Sequence, residues 1–152
     1  MSATTAASSS SNSAANRLLR FGWRALLVSL SLGILLEALH GLKVGWYLDA
    51  DNDMRRLMFT LAHAHGALLG LVSIAAALSV RLVPGVALAS STAHALIGAT
   101  VLLPAGFFLG GLVVHQGDPS LGITLVPVGA ALLLYAVARM ARAVSGALSQ
   151  SD

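Results

Sequence analysis

The sequence contains no cysteine, few aromatic residues and little charge. Of its 152 residues, 10% are charged, 5% are aromatic and 57% are hydrophobic. An average soluble domain carries about 25% charged residues, so this chain has too little charge to cover a soluble surface. The absence of cysteine excludes disulfides, zinc–thiolate sites, iron–sulfur clusters and a cysteine nucleophile. The mean hydropathy of +0.83 predicts an integral membrane protein.

The net charge of +3 does not indicate a nucleic-acid-binding protein. The basic residues form no continuous helix face and are not interleaved with aromatic residues, as they are in proteins that bind nucleic acid. Six of the nine basic residues fall at the edges of apolar segments, where membrane proteins carry them. We therefore expect the lipid bilayer and other membrane subunits as partners, and no nucleic acid.

Four apolar segments are long enough to cross the hydrocarbon core as helices, which takes about 20 residues each. They cover residues 18–44, 57–80, 86–114 and 121–141. The connections between them are short, so consecutive helices are antiparallel neighbours. The predicted fold class is all-α, an integral membrane four-helix bundle.

The two ends of the chain are expected to lie outside the bundle. After the initial methionine, residues 1–16 contain only Ser, Ala, Thr and Asn. Such a segment buries too little apolar surface to offset its ordering entropy, so we expect it to be disordered. Deletion of residues 2–16 should therefore leave folding and membrane insertion intact. Residues 17–144 form a single transmembrane domain, and residues 145–152 form a short polar tail.

Basic residues divide unequally between the two predicted sides of the membrane. One side carries Arg17, Arg20, Arg24, Arg81, Arg139 and Arg142, and the other carries Lys43, Arg55 and Arg56. The positive-inside rule therefore predicts cytoplasmic amino and carboxyl termini. The expected location is the inner (cytoplasmic) membrane of a bacterium. The loop on the other side carries Asp49, Asp51 and Asp53, which we expect to be solvated, with Asp53 capping the second helix.

Small residues recur at four-residue spacing in three of the segments. They are Ala62, Gly66 and Gly70 in the second, Gly106 and Gly110 in the third, and Gly33 and Gly41 on either side of Glu37 in the first. Helices in a bilayer associate by close packing, which small residues permit. The spacing therefore predicts the faces on which the helices touch.

Polar residues inside the apolar segments form the candidate site. Glu37 is the one acid within a predicted span, and a carboxylate there costs at least ~2.5 kcal/mol unless it is neutral, paired or hydrated. His40 shares its helix face. His63 and His65 are about 200° apart around a regular helix, so the two rings point away from each other. His94 lies in the opposite half of the membrane.

These residues suggest a metal or cofactor site, because imidazole nitrogens ligate haem iron and transition metals. The candidate metal ligands are Glu37, His40, His63 and His65, and the candidate cofactor-binding residues are His40, His63, His65 and His94. Haem b or a transition metal ion is the group that they would hold.

Three functions fit this set of residues. The first is a membrane redox subunit with the metal or haem bound by the Glu/His set. The second is a structural or assembly subunit of a larger membrane complex, in which the same residues form hydrogen bonds between helices. The third is a proton-coupled transporter or channel. No Ser-x-x-Lys, His-Glu-x-x-His or Gly-x-Ser-x-Gly motif is present, so the sequence identifies no hydrolase and leaves the question of an enzyme open.

The predicted topology is tested by reporter fusions. Fusions at residues 50 and 118 should report a non-cytoplasmic location, and a fusion after residue 83 should report a cytoplasmic one, because the arginines stay on the cytoplasmic side. A cytoplasmic signal at residue 50 would overturn the orientation.

Overall fold

The computed structural model describes residues 2–48 and 53–150, with side chains from Ser9 onward. Asp49 and Asp51 of the acidic loop lie outside the described residues. The elements in chain order are α1 (Ser2–Gly41), α2 (Met54–Leu82), α3 (Ser90–Leu112), β1 (Val114–His115), β2 (Asp118–Pro119), a 3-10 turn (Leu121–Thr124) and α4 (Leu125–Leu148). Four helical stretches within the described chain are long and apolar enough to cross a membrane. The predicted all-α, four-helix membrane bundle is confirmed.

The helices pack in chain order. α1 lies along α2, α2 along α3 and α3 along α4, and α1 also reaches α3. In the most apolar windows of α2 and α3 44% of residues are buried, against 17% in α1 and 11% in the stretch that contains α4. α2 and α3 therefore form the centre of the bundle, whereas few residues of α1 and α4 are buried, as expected for helices on its outside.

Most of the small residues at four-residue spacing lie at contacts between helices, as the spacing predicts. Gly41 is the exception, because a Cβ atom there would meet nothing within 4 Å. A Cβ atom on Gly70 would lie 3.0 Å from the Leu26 backbone nitrogen and 3.1 Å from the Gly22 carbonyl oxygen, so glycine permits the contact between α1 and α2. A Cβ atom on Gly106 would lie 3.0 Å from the Val126 nitrogen, which shows the same close approach between α3 and α4. The helices therefore associate through close backbone packing.

The amino-terminal segment differs from the expected disordered tail. α1 begins at Ser2 and runs without a break into the first span. Ala14 and Ala15 are 2% and 0% exposed and belong to the main hydrophobic core together with Leu88. The Ser11 hydroxyl accepts a hydrogen bond of 2.9 Å from the Leu88 backbone N–H. The expectation of disorder considered the composition of this segment alone. In the structure, its small side chains let it pack closely against the connection between α2 and α3.

The other boundaries also differ in detail from the sequence expectations. α4 continues to Leu148, and Ala147 is 9% exposed, so the bundle extends into the expected polar tail. The connection after α3 is a β-hairpin turning at Gln116 and Gly117, whose φ angles are +51° and +89°. Two positive φ angles are the signature of the two-residue turn that suits a hairpin. Asp53 makes no side-chain cap and instead pairs with Arg56 at 2.6 Å.

Replacing Ser11 tests the packing of the amino-terminal segment. Ser11→Ala leaves the buried Leu88 N–H without its partner, which should lower the free energy of unfolding by about 1–3 kcal/mol. The matched control is Ser13→Ala, because Ser13 is exposed on the same helix. Reversible unfolding in mixed detergent micelles measures both variants, and equal stabilities would show that the contact between Ser11 and Leu88 contributes nothing.

Candidate functional site

A polar cleft opens between α1 and α2 near the ends joined by residues 42–53. Its volume is about 420 Å³. Aliphatic side chains form its walls, and four polar side chains line it together with one glycine. The lining residues are Leu30, Gly33, Ile34, Leu36, Glu37, Tyr47, Thr60 and His63.

His63 is held in one orientation by α1. Its Nδ1 atom lies 2.7 Å from the Ser29 carbonyl oxygen. A carbonyl oxygen only accepts hydrogen bonds, so Nδ1 carries the proton and donates. In the neutral ring Nε2 is then an unprotonated acceptor. The ring packs over Gly33, where a Cβ atom would lie 2.7 Å from Nδ1, so the absence of a side chain at Gly33 makes room for the imidazole.

Glu37 lies one helical turn beyond Gly33 and lines the same cleft. Within residues 9–48 and 53–150, no hydrogen bond or salt bridge involves its carboxylate. The two arginines at the start of α2 have other partners. Arg55 donates to the Trp46 carbonyl oxygen at 2.7 Å, and Arg56 pairs with Asp53. The acid that the sequence singled out therefore lacks a cation among the described residues.

Two hydroxyl groups complete the polar lining. Thr60 donates its proton to the Arg56 carbonyl oxygen at 2.8 Å, which leaves its lone pairs as acceptors. Tyr47 is 5% exposed, and its hydroxyl makes no hydrogen bond within the described part of the chain. The cleft therefore contains three acceptor groups and one hydroxyl that both donates and accepts.

The remaining predicted site residues lie elsewhere. His65 packs its ring 4.8 Å from the Phe107 ring and donates Nδ1–H to the Leu61 carbonyl oxygen at 2.8 Å. His40 is on α1 and is not among the residues that line the cleft. His94 accepts a hydrogen bond of 2.6 Å from Arg17 through Nε2, at the opposite end of the bundle.

The structure thus brings Glu37 and His63 together and separates them from the other predicted ligands. Among the described residues there is no group of three His, Asp or Glu side chains that could hold a metal ion. A four-ligand centre of Glu37, His40, His63 and His65 is therefore not assembled. The helical period is the reason, since His63 and His65 face opposite sides of α2.

Sequence reasoning missed the roles of Ser29, Tyr47 and Thr60. Thr60 precedes His63 by three residues on α2, so its position on the same helix face was readable from spacing. Tyr47 lies in the connection between α1 and α2. It reaches the cleft because the chain turns back after α1, with the Tyr47 N–H bonded to the Val44 carbonyl oxygen at 3.0 Å.

No protein-family model, curated protein or solved structure matches this chain.

Gly33→Ala tests the contact that positions His63. The added methyl group meets the imidazole, so we expect a loss of about 1–3 kcal/mol in the free energy of unfolding, as for other overpacked helix contacts. Gly41→Ala is the matched control on the same helix, because a Cβ atom there meets nothing within 4 Å. Two variants of equal stability would contradict the tight α1–α2 contact.

Proposed function

We propose that this small membrane protein binds a cation in the polar cleft between α1 and α2. The observation that carries the proposal is the meeting of an unpaired carboxylate, Glu37, with a histidine whose Nε2 is left as an acceptor. The cleft volume of about 420 Å³ falls within the range of small-molecule sites, roughly 300–1,000 Å³.

The balance of donors and acceptors favours a cation. Glu37, His63 and Thr60 all present acceptors, and the Tyr47 hydroxyl is the one donor among the four polar side chains of the cleft. A ligand that donates hydrogen bonds satisfies these groups better than one that accepts them. A positive charge also offsets the cost of a carboxylate beside hydrocarbon, at least ~2.5 kcal/mol.

Two kinds of cation suit these groups. A transition metal ion takes imidazole nitrogen and carboxylate oxygen as ligands, and Glu37 with His63 supplies one of each. An organic ammonium ion donates its N–H groups to the same acceptors, and its apolar tail contacts the walls formed by Leu30, Ile34 and Leu36. Of these two cations, the transition metal is the one that would give the protein a redox role. His63 would then supply the imidazole ligand, because it is the one histidine that lines this cleft.

The alternative functions account for part of the arrangement. Hydrogen bonding between helices explains His63, which joins α2 to the Ser29 carbonyl oxygen, but it does not explain Glu37. A proton pathway would have to connect the cleft with His94. His65 lies between His63 and His94 in the sequence, but its Nδ1–H is donated to the Leu61 carbonyl oxygen of its own helix. Placement in a bacterial inner membrane with both termini in the cytoplasm stays part of the proposal.

Binding to detergent-purified protein tests the function. The probes are Co²⁺, followed by its absorption spectrum, free haem b, and dodecylammonium, followed by calorimetry. We expect saturable binding of one cation per chain. Glu37→Gln should weaken it about 10- to 100-fold, because a charge-assisted hydrogen bond contributes roughly 1.5–3 kcal/mol.

The matched control is His40→Gln, which changes a side chain outside the cleft and should leave affinity unchanged. Glu37→Leu removes the carboxylate together with its hydrogen bonds, and a folded Glu37→Leu protein that does not bind separates binding from folding. Absence of saturable binding by all three probes, or equal affinities of wild type and Glu37→Gln, would refute the proposal and favour an assembly role.

A further inference from the structure

A second polar cleft lies at the opposite end of the same helix pair. Its volume is about 240 Å³, and it is lined by Asn16, Leu19 and Arg20 of α1 and Arg81 of α2. Arg81 donates a hydrogen bond to the Asn16 side-chain oxygen, which holds its guanidinium group against α1. Two guanidinium groups thus face one small space.

Within the described residues, no acid balances the positive charge at this end. Arg20 has no hydrogen bond or ion pair among the described residues. The one salt bridge within the described chain, between Arg56 and Asp53, lies at the other end of α2. Along α1 the nearest acid is Glu37, about 25 Å away. The charge of this cleft therefore favours the binding of an anion from outside the chain.

An exposed apolar stripe begins beside Arg20 and continues along α1. Trp23 is 60% exposed, Leu27 66%, Leu30 49% and Ile34 72%. Their spacing of three and four residues places them on one helix face together with Arg20. Tryptophan is enriched at the membrane interface, so Trp23 places Arg20 at headgroup depth and the stripe at acyl-chain depth.

We propose that Arg20 and Arg81 bind the phosphate group of an anionic phospholipid, with an acyl chain along the stripe from Trp23 to Ile34. Guanidinium groups match phosphate oxygens in geometry and charge. The apolar stripe identifies the source of the phosphate as a lipid, since a free phosphate ion would make no use of it. Arg20 and Arg81 lie outside the cation-binding cleft, although Leu30 and Ile34 of the stripe also line it.

Native mass spectrometry of the full chain, purified and delipidated in detergent, tests the site. The probes are phosphatidylglycerol and phosphatidylcholine with identical acyl chains, and inorganic phosphate as a competitor. We expect tighter binding of phosphatidylglycerol. Arg20→Gln should weaken it about fivefold, the effect of roughly one basic residue near an anionic surface. Arg20 makes no side-chain bond within the described chain, so the variant should keep its fold.

Arg139→Gln is the matched control. It removes the same charge from α4, and Arg139 does not line this cleft, so binding should be unchanged. Equal losses in both variants would show diffuse attraction instead of a site. Equal binding of the two lipids, or full competition by millimolar inorganic phosphate, would overturn the assignment to an anionic lipid.

Discussion

Close contact between α1 and α2 is the constraint on which the rest of the structure depends. Lipid tails are as apolar as leucine, so helices in a bilayer gain little from the hydrophobic effect and associate through tight packing. Gly22 meets Gly70, the Ser29 hydroxyl lies against Gly66, and the His63 ring covers Gly33. These contacts follow one another along the interface. Both polar clefts are the places where the same interface opens, one at each end.

Charge is segregated along this helix pair. The end near the loop carries the unpaired Glu37, while the other end carries Arg20 and Arg81. The separation of about 25 Å between Glu37 and Arg20 is too long for direct pairing and is well beyond the Debye length in salt. Among the described residues, each cleft therefore presents charge of one sign without a partner of the opposite sign. A bound cation at one end and a bound phosphate group at the other would each offset the electrostatic cost of this charge, which the described residues do not offset.

The histidines show how helical geometry distributes residues that look clustered in the sequence. His63 and His65 are two positions apart, yet one contacts α1 and the other contacts Phe107 of α3. His94 is bonded to Arg17 at the arginine-rich end. Three histidines thus stabilise three different contacts, and one of them also presents an acceptor nitrogen to the Glu37 cleft. Of the four predicted metal ligands, Glu37 and His63 are therefore the two that line the same cleft.

The sequence by itself determined the four membrane helices, their antiparallel order and most of the small residues at their contacts, because hydropathy and spacing are local properties. It also singled out Glu37, since a lone intramembrane acid needs no structure to be noticed. Tertiary structure decided what surrounds that acid. Tyr47 enters the cleft through a turn of the chain, and Ser29 fixes the proton of His63 from another helix. The helical packing of residues 9–16 was likewise decided by the loop near Leu88. In each case the deciding partner is distant in sequence, and composition and periodicity do not report which distant residues meet.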